Sequence, residues 1–153
     1  KAGTIDSGVA SVEFRRVIEG DPNLKVLLNL GDELPQYVRT IFVARNETVS
    51  AQRDTLERVL RAYARGAQLA GTNRDEAIAF GVKLTGQSPD LMGWTFDIFK
   101  EKNWVNPKGE IPLSYFEWMQ DLNLRLKLQD TKADLAKAVD FTIARKVAQE
   151  LNL

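Results

Sequence analysis

The sequence of 153 residues contains no cysteine and no histidine. Without cysteine there are no disulfides and no thiolate chemistry, although an exported protein does not require disulfides. Without histidine the commonest general base and the commonest metal ligand are missing. A Ser-His-Asp triad, a Cys-His dyad and a histidine-containing zinc site are therefore excluded. We expect a protein that is not an enzyme and that needs no metal and no cofactor.

An excess of charge of either sign is also missing, because 21 Lys and Arg residues balance 21 Asp and Glu residues. Proteins that bind nucleic acid usually carry a basic excess on the domain or on one face, so no nucleic-acid partner is predicted. No apolar run is long enough to span a bilayer. A hydrophobic content of 44% is ordinary for a globular domain and is sufficient for a core.

Strand-like segments occupy the first third of the chain. They are short apolar or β-branched runs bounded by turn residues, at residues 5–10, 24–28 and 37–44. A helix over residues 12–19, which Ser11 can cap, separates the first two. This order predicts a βαβ piece. The fold class predicted is α/β, with a short, mostly parallel sheet and about five to six helices.

Helical patterns dominate from Ser50 onward. Apolar residues at spacings of three and four predict a long helix that ends near Gly71. Asn73 with Glu76 resembles a capping box, and Ser88 followed by Pro89 is typical of a helix start. Further helices are predicted after Pro112 and over residues 143–151.

Four stretches, taken in order, resemble segments of one family. They are Gly3-Thr4-Ile5-Asp6-Ser7-Gly8; residues 26–28, 34–37 and 41–45; "LRAY" at residues 60–63 with "NRDEA" at 73–77; and Val139-Asp140-Phe141. The chain resembles the C-terminal half of periplasmic solute-binding proteins of ABC importers. Within that family it is similar to the nitrate/sulfonate/taurine and thiamine-pyrimidine-precursor group, which has the type II periplasmic-binding-protein fold.

The resemblance implies an organisation in three parts. Residues 1–36 would end the second lobe, residues 37–45 would form a crossover strand, and residues 46–153 would supply C-terminal helices that pack on the first lobe. The opening half of the first lobe would then lie outside this sequence. Strands and helix faces would lack partners, so we expect either a fragment of a larger molecule or self-association.

The resemblance also implies a function. The protein would bind a small anionic or heterocyclic solute between two lobes and dock on an ABC permease, at the periplasmic or extracellular face of the membrane. A ligand-sensing effector or a helical interaction domain is the alternative. A pyrimidine-synthase-like enzyme is disfavoured, because the enzymes of that type use a histidine and a cysteine-rich motif, which this chain lacks.

Two groups of residues are candidate ligand contacts. Ser7, Gly8 and Ser11 lie in a strand-to-helix turn, where free backbone amides and the helix dipole favour an anion. The alternative is an ordinary turn in which Ser11 only caps the helix. Tyr37 and Thr40 lie on the crossover segment, which borders the cleft in the family. Their alternative is an edge strand with one half-buried ring.

Overall fold

The computed structural model describes residues 6–153, and these residues form helices joined by irregular segments. A short 3-10 turn, Val12–Phe14, comes first. The α-helices that follow are α1 (Arg15–Glu19), α2 (Leu30–Glu33), α3 (Asn46–Ala51), α4 (Arg53–Thr72), α5 (Arg74–Thr85), α6 (Pro89–Glu101), α7 (Leu113–Arg125), α8 (Leu135–Ala138) and α9 (Thr142–Glu150).

The predicted α/β fold is wrong, because no β-strand is present among residues 6–153. Residues 24–28 and 37–44 have no regular secondary structure, and neither do residues 6–10; Ile5 lies outside the described residues. An apolar, β-branched run favours a strand only when a neighbouring strand supplies hydrogen bonds and a surface to pack on. Within the described chain these runs find no such neighbour, so the partial lobe with a parallel sheet is not formed.

The helices predicted from Ser50 onward agree with the structure, because local capping fixes where several of them begin and end. The Asn73 side chain accepts a hydrogen bond from the Glu76 backbone N–H at 3.2 Å and starts α5. Gly86 ends α5 in the left-handed conformation, with φ of 70°, which costs little without a Cβ. Ser88 accepts a hydrogen bond from the Leu91 N–H at 3.2 Å and starts α6.

The chain divides into two compact units. One consists of the residues up to Asn29 together with Thr72–Trp104, and the other consists of Leu30–Gly71 with Val105–Leu153. This division differs from the three parts implied by the family resemblance. The assignment of residues 1–36, 37–45 and 46–153 to lobes and crossover stays a prediction.

In the first unit, α5 and α6 pack closely. A Cβ on Gly81 would lie 3.0 Å from the Met92 sulfur, and a Cβ on Gly93 would lie 3.0 Å from a guanidinium nitrogen of Arg74. Arg74 also holds Asp97 through two hydrogen bonds of 2.9 Å. Glycine at both positions therefore permits α5 and α6 to approach closely, and the bidentate ion pair between them stabilises this packing.

In the second unit, the core lies between α4 and α9. Ala64 on α4 and Ile143 and Val147 on α9 are buried. Half-buried leucines pack around them: Leu56, Leu60, Leu151 and Leu153. The spacing of four between Ile143 and Val147 gives α9 one continuous apolar face, as the sequence pattern predicts.

Replacing Val147 by alanine tests this core. Val147 is 2% exposed, so Val147→Ala should lower the free energy of unfolding by about 2 kcal/mol through lost apolar contact and a small cavity. Val59→Ala is the matched control on α4, because Val59 is 48% exposed and its loss should change stability by less than about 0.5 kcal/mol. Urea unfolding followed by circular dichroism measures both, and equal effects would contradict the proposed core.

Candidate functional site

The residues of the first unit that are predicted to bind an anion are not followed by a long helix. Ser7 and Gly8 are exposed in an irregular segment. Ser11 occupies the N-cap position of the 3-10 turn, but its side chain makes no capping hydrogen bond. The helix expected over residues 12–19 is reduced to this turn and the five residues of α1. The role of these three residues in ligand binding stays a prediction.

Tyr37 and Thr40 belong to the second unit, whereas Ser7, Gly8 and Ser11 belong to the first. The side chains of Tyr37 and Thr40 are both exposed. The Tyr37 N–H donates to the Leu34 carbonyl at 3.0 Å, which closes a turn just before the irregular segment. Their contact with a ligand likewise stays a prediction.

A polar depression lies in the second unit where α3 ends and α4 begins. Its volume is about 490 Å³, within the range of small-molecule sites, and it is open to solvent. The side chains that line it and can donate hydrogen bonds or carry positive charge are Ser50, Gln52, Arg53, Thr55 and Arg58. Asp54 also lines it and contributes a carboxylate.

The break between α3 and α4 creates this depression. Gln52 departs from helical geometry, with φ of −128° and ψ of 34°, so that α4 starts afresh at Arg53. Thr55 is the first residue of α4 whose N–H reaches a backbone carbonyl, that of Gln52, at 3.0 Å. The first amides of a helix have no acceptor within it and carry the positive end of the dipole. The depression is therefore suited to an anion.

One ion pair and two hydrogen bonds hold the walls of the depression. Arg53 lies 3.5 Å from a Glu57 carboxylate oxygen and donates to the Thr142 hydroxyl at 3.2 Å. Arg58 donates to the Thr55 hydroxyl at 3.2 Å. Arg53 is thereby fixed to both α4 and α9. Arg58 has no carboxylate partner among the described residues, so its positive charge is available to a ligand.

Glu57 anchors this arrangement from within the protein. It is 6% exposed, and its carboxylate accepts a hydrogen bond of 2.6 Å from the Lys146 ammonium group. That hydrogen bond is the main cause of a pKa of Glu57 below its ordinary value, and the positive charges of Lys146, Arg53 and Arg61 add to it, against the opposing effect of burial. A buried carboxylate is tolerated because these cations pair it.

A second feature of the same unit is apolar. Residues 38–44, which we call the unpaired segment, make no backbone hydrogen bond with other described residues. Their apolar side chains are largely exposed, with Phe42 at 62% and Val43 at 83%. The Phe42 ring packs in a T-shaped arrangement with the Tyr63 ring of α4, at a centroid distance of 5.1 Å. Tyr63 in turn donates a hydrogen bond to the Asn106 carbonyl.

A smaller gap lies beneath Tyr63, lined by Leu60, Ala64, Gly109 and Val147 among others. Its volume of about 10 Å³ is room for one water at most, so it cannot hold a solute. In residues 6–153 no cluster of three or more acidic side chains is placed to hold a metal ion. None of the helices described is both long and apolar enough to cross a membrane.

Comparison with protein-family models, with curated proteins and with solved structures found no match.

Sequence reasoning did not identify the polar depression. Arg53, Glu57 and Arg61 follow one another at spacings of four, and such a charged face of a helix is normally solvated. The opposing Lys146 and Thr142 come from a helix 89 residues further along the chain. A partial signal is Ser50 followed by Asp54 and Thr55, since such residues gather at helix starts.

The pH dependence of stability tests the role of Glu57. A lowered pKa means that its ionised form stabilises the fold above the ordinary value of 4.5, and that this contribution disappears as the pH falls through the lowered value. Glu57→Gln should therefore lower the urea midpoint at pH 7 and reduce the loss of stability between pH 7 and acidic pH. Glu117→Gln, on the exposed face of α7, is the control and should behave as the parent protein. A Glu57→Gln protein with an unchanged midpoint and an unchanged pH profile would refute this role.

Proposed function

We propose that this chain acts as the solute-binding component of an ABC-type importer and binds a small anion. The chemistry of the polar depression carries the proposal. It combines the Arg58 guanidinium, the hydroxyls of Ser50 and Thr55, and the amide end of the 20-residue helix α4. Backbone amides at a helix start, together with a few donor side chains, are sufficient to orient a sulfate-sized or sulfonate-sized group.

The sequence resemblance supports the same reading. Stretches that resemble solute-binding proteins lie on both sides of the depression, at residues 41–45 and at residues 60–63. The α/β sheet of that family is absent from residues 6–153, so the proposal rests on these stretches of sequence and on the polar depression. An ABC permease as partner, and a location at the periplasmic or extracellular face of the membrane, follow from this function and are part of the proposal.

The charges of the depression set the expected selectivity. Arg53 is already paired with Glu57, and the Asp54 carboxylate repels anions, so Arg58 is the principal attracting charge. One attracting charge suits a monovalent group such as a sulfonate or nitrate better than a multiply charged phosphate. The lining contains little apolar surface, because Ala51 is its only apolar residue. A large heterocycle would therefore gain little there from the hydrophobic effect.

A helical interaction domain is the second candidate function. The chain exposes 11706 Å². A compact monomer of this mass exposes about 7,800 Å², and two separate compact bodies of the sizes of the two units would together expose about 9,400 Å². Large apolar side chains contribute to the excess, among them Leu27, Phe42, Val43, Phe80 and Leu84. Exposed apolar surface of this extent favours contact with another protein.

Solute binding is tested on the intact protein with nitrate, sulfate, taurine and a pyrimidine. A ligand at about one hundred times its dissociation constant stabilises the folded state by about 2.7 kcal/mol, which should raise the Tm by about 5–10 °C. We expect this shift for taurine or nitrate and a smaller one for the pyrimidine. Sodium chloride at equal ionic strength is the control for general salt effects.

In calorimetric titration, Arg58→Gln should lower the affinity for the anion that raises the Tm by about tenfold, because a charge-assisted hydrogen bond is lost. Arg65→Gln on the same helix is the matched control, since Arg65 is exposed and does not line the depression. If no small solute shifts the Tm and the protein binds other polypeptides instead, the interaction domain replaces the receptor. Equal losses from both variants would mean that the site lies elsewhere.

A further inference from the structure

The unpaired segment presents two different faces if its chain is extended. Successive side chains of an extended chain point to opposite sides, so residues 38, 40, 42 and 44 share one side. Phe42 on that side meets Tyr63 of α4, and Val38 is half-buried. The opposite side then carries Ile41 and Val43 between Arg39 and Arg45, all four of them exposed.

The backbone of the segment is also available. None of residues 38–44 uses its N–H or C=O with other described residues. A β-branched and aromatic run with free backbone groups is a template on which another extended chain can pair, through main-chain hydrogen bonds. Such pairing would also cover the Val43 side chain, which is 83% exposed.

The charges at the two ends decide which chain fits. Neither the Arg39 nor the Arg45 guanidinium has an ion-pair or hydrogen-bond partner in the described part of the chain. Two antiparallel copies of this segment centred on Phe42 would place Arg39 directly opposite Arg45, and like charges opposite one another are destabilising. The same two arginines would attract carboxylates six residues apart on a facing strand.

We propose that residues 38–44, with Arg45, form a docking edge for an extended peptide that has an apolar centre flanked by two carboxylates. In the antiparallel arrangement the partner's acidic residues face Arg39 and Arg45, and its apolar residues face Ile41 and Val43. Main-chain hydrogen bonds supply most of the affinity, and the two arginines supply the selection for acidic ends. This edge is separate from the polar depression, so anion binding and peptide binding fail or succeed independently.

A heptapeptide with glutamate at its first and last positions, valine at its third and fifth, and threonine elsewhere reproduces this pattern. It is titrated into the intact protein to about 2 mM, since one short strand binds with a dissociation constant on the order of 1 mM. Backbone NMR shifts and amide exchange are followed. We expect shifts that grow with peptide concentration and slowed exchange, both confined to residues 38–45, and weaker binding at higher salt.

Two changes, one in the peptide and one in the protein, test how much the charges contribute to binding. A peptide with lysine in place of both glutamates should bind the parent protein at least about tenfold more weakly. The Arg39→Glu/Arg45→Glu protein should reverse this preference and bind the lysine peptide better than the glutamate peptide. Arg16→Glu, an exposed charge reversal in the other unit, is the control and should leave both affinities unchanged.

Removing a backbone donor separates strand pairing from simple charge attraction. Successive N–H groups of an extended chain point to opposite edges, so Thr40→Pro and Ile41→Pro each remove a donor from one edge. Neither N–H has a backbone acceptor among the described residues, so the fold should tolerate both changes. The variant on the pairing edge should reduce peptide binding at least about fivefold, while the circular dichroism spectrum of both stays unchanged.

Three outcomes would overturn the proposal. One is the absence of shifts at residues 38–45 at the highest peptide concentration. A second is equal binding of both peptides to the parent protein. The third is slowed exchange of the same amides without peptide, growing with protein concentration, which would assign the edge to a second copy of the chain.

Discussion

The buried Glu57 carboxylate is the constraint on which the second unit depends. A charge at 6% exposure is stable only if cations and hydrogen bonds replace the water it has lost, and here α9 provides Lys146 while α4 provides Arg53. The apolar contacts of Val147 and Ala64 lie on the same pair of helices. Apolar packing supplies the stability, whereas the carboxylate fixes how α9 lies along α4, because Lys146 must reach it, while Arg53 already lies four residues away on the same helix.

This alignment organises both surface features of the unit. Arg53 reaches Glu57 from the wall of the polar depression, and Thr142 of α9 holds the same guanidinium from the other side. Two to three turns further along α4, Tyr63 contacts Phe42 of the unpaired segment. Arg61 lies between them and binds Glu150 of α9 at 2.5 Å, which continues the line of ion pairs along the helices. A single helix thus carries at its start the groups that we propose bind an anion, and supports the apolar segment near its middle.

From Ser50 onward the sequence predicts the helices correctly, whereas the strands that it predicts are absent from the described part of the chain. This difference has a physical cause. Asn73, Gly86 and Ser88 act on backbone groups within four residues of themselves, so the sequence contains the whole interaction. A strand is stabilised by a partner that is distant in sequence. Residues 24–28 and 37–44 have the composition of strands, but no strand among residues 6–153 pairs with them. Their composition indicates a preference for pairing and not the existence of a partner.

The same distinction explains the candidate site. Spacing correctly places Arg53 and Glu57 on one face of a helix, but it cannot show that the face is covered by Lys146, 89 residues away. The break at Gln52 is equally hidden, because neither proline nor glycine occurs between Asn46 and Arg65 to mark it. Residues such as Ser7 and Ser11 fit an anion-binding turn in composition. No long helix follows them, however, so the turn lacks the helix dipole that would attract an anion.

The openness of the depression limits what it can do alone. In water the attraction between a guanidinium and an anion at contact is about 1 kcal/mol, whereas at a partly desolvated surface it is about fourfold larger. The side chains of Ser50 and Arg58 are exposed, so solvent weakens their hold on a ligand. A second protein surface over the depression would exclude water and strengthen each of these contacts.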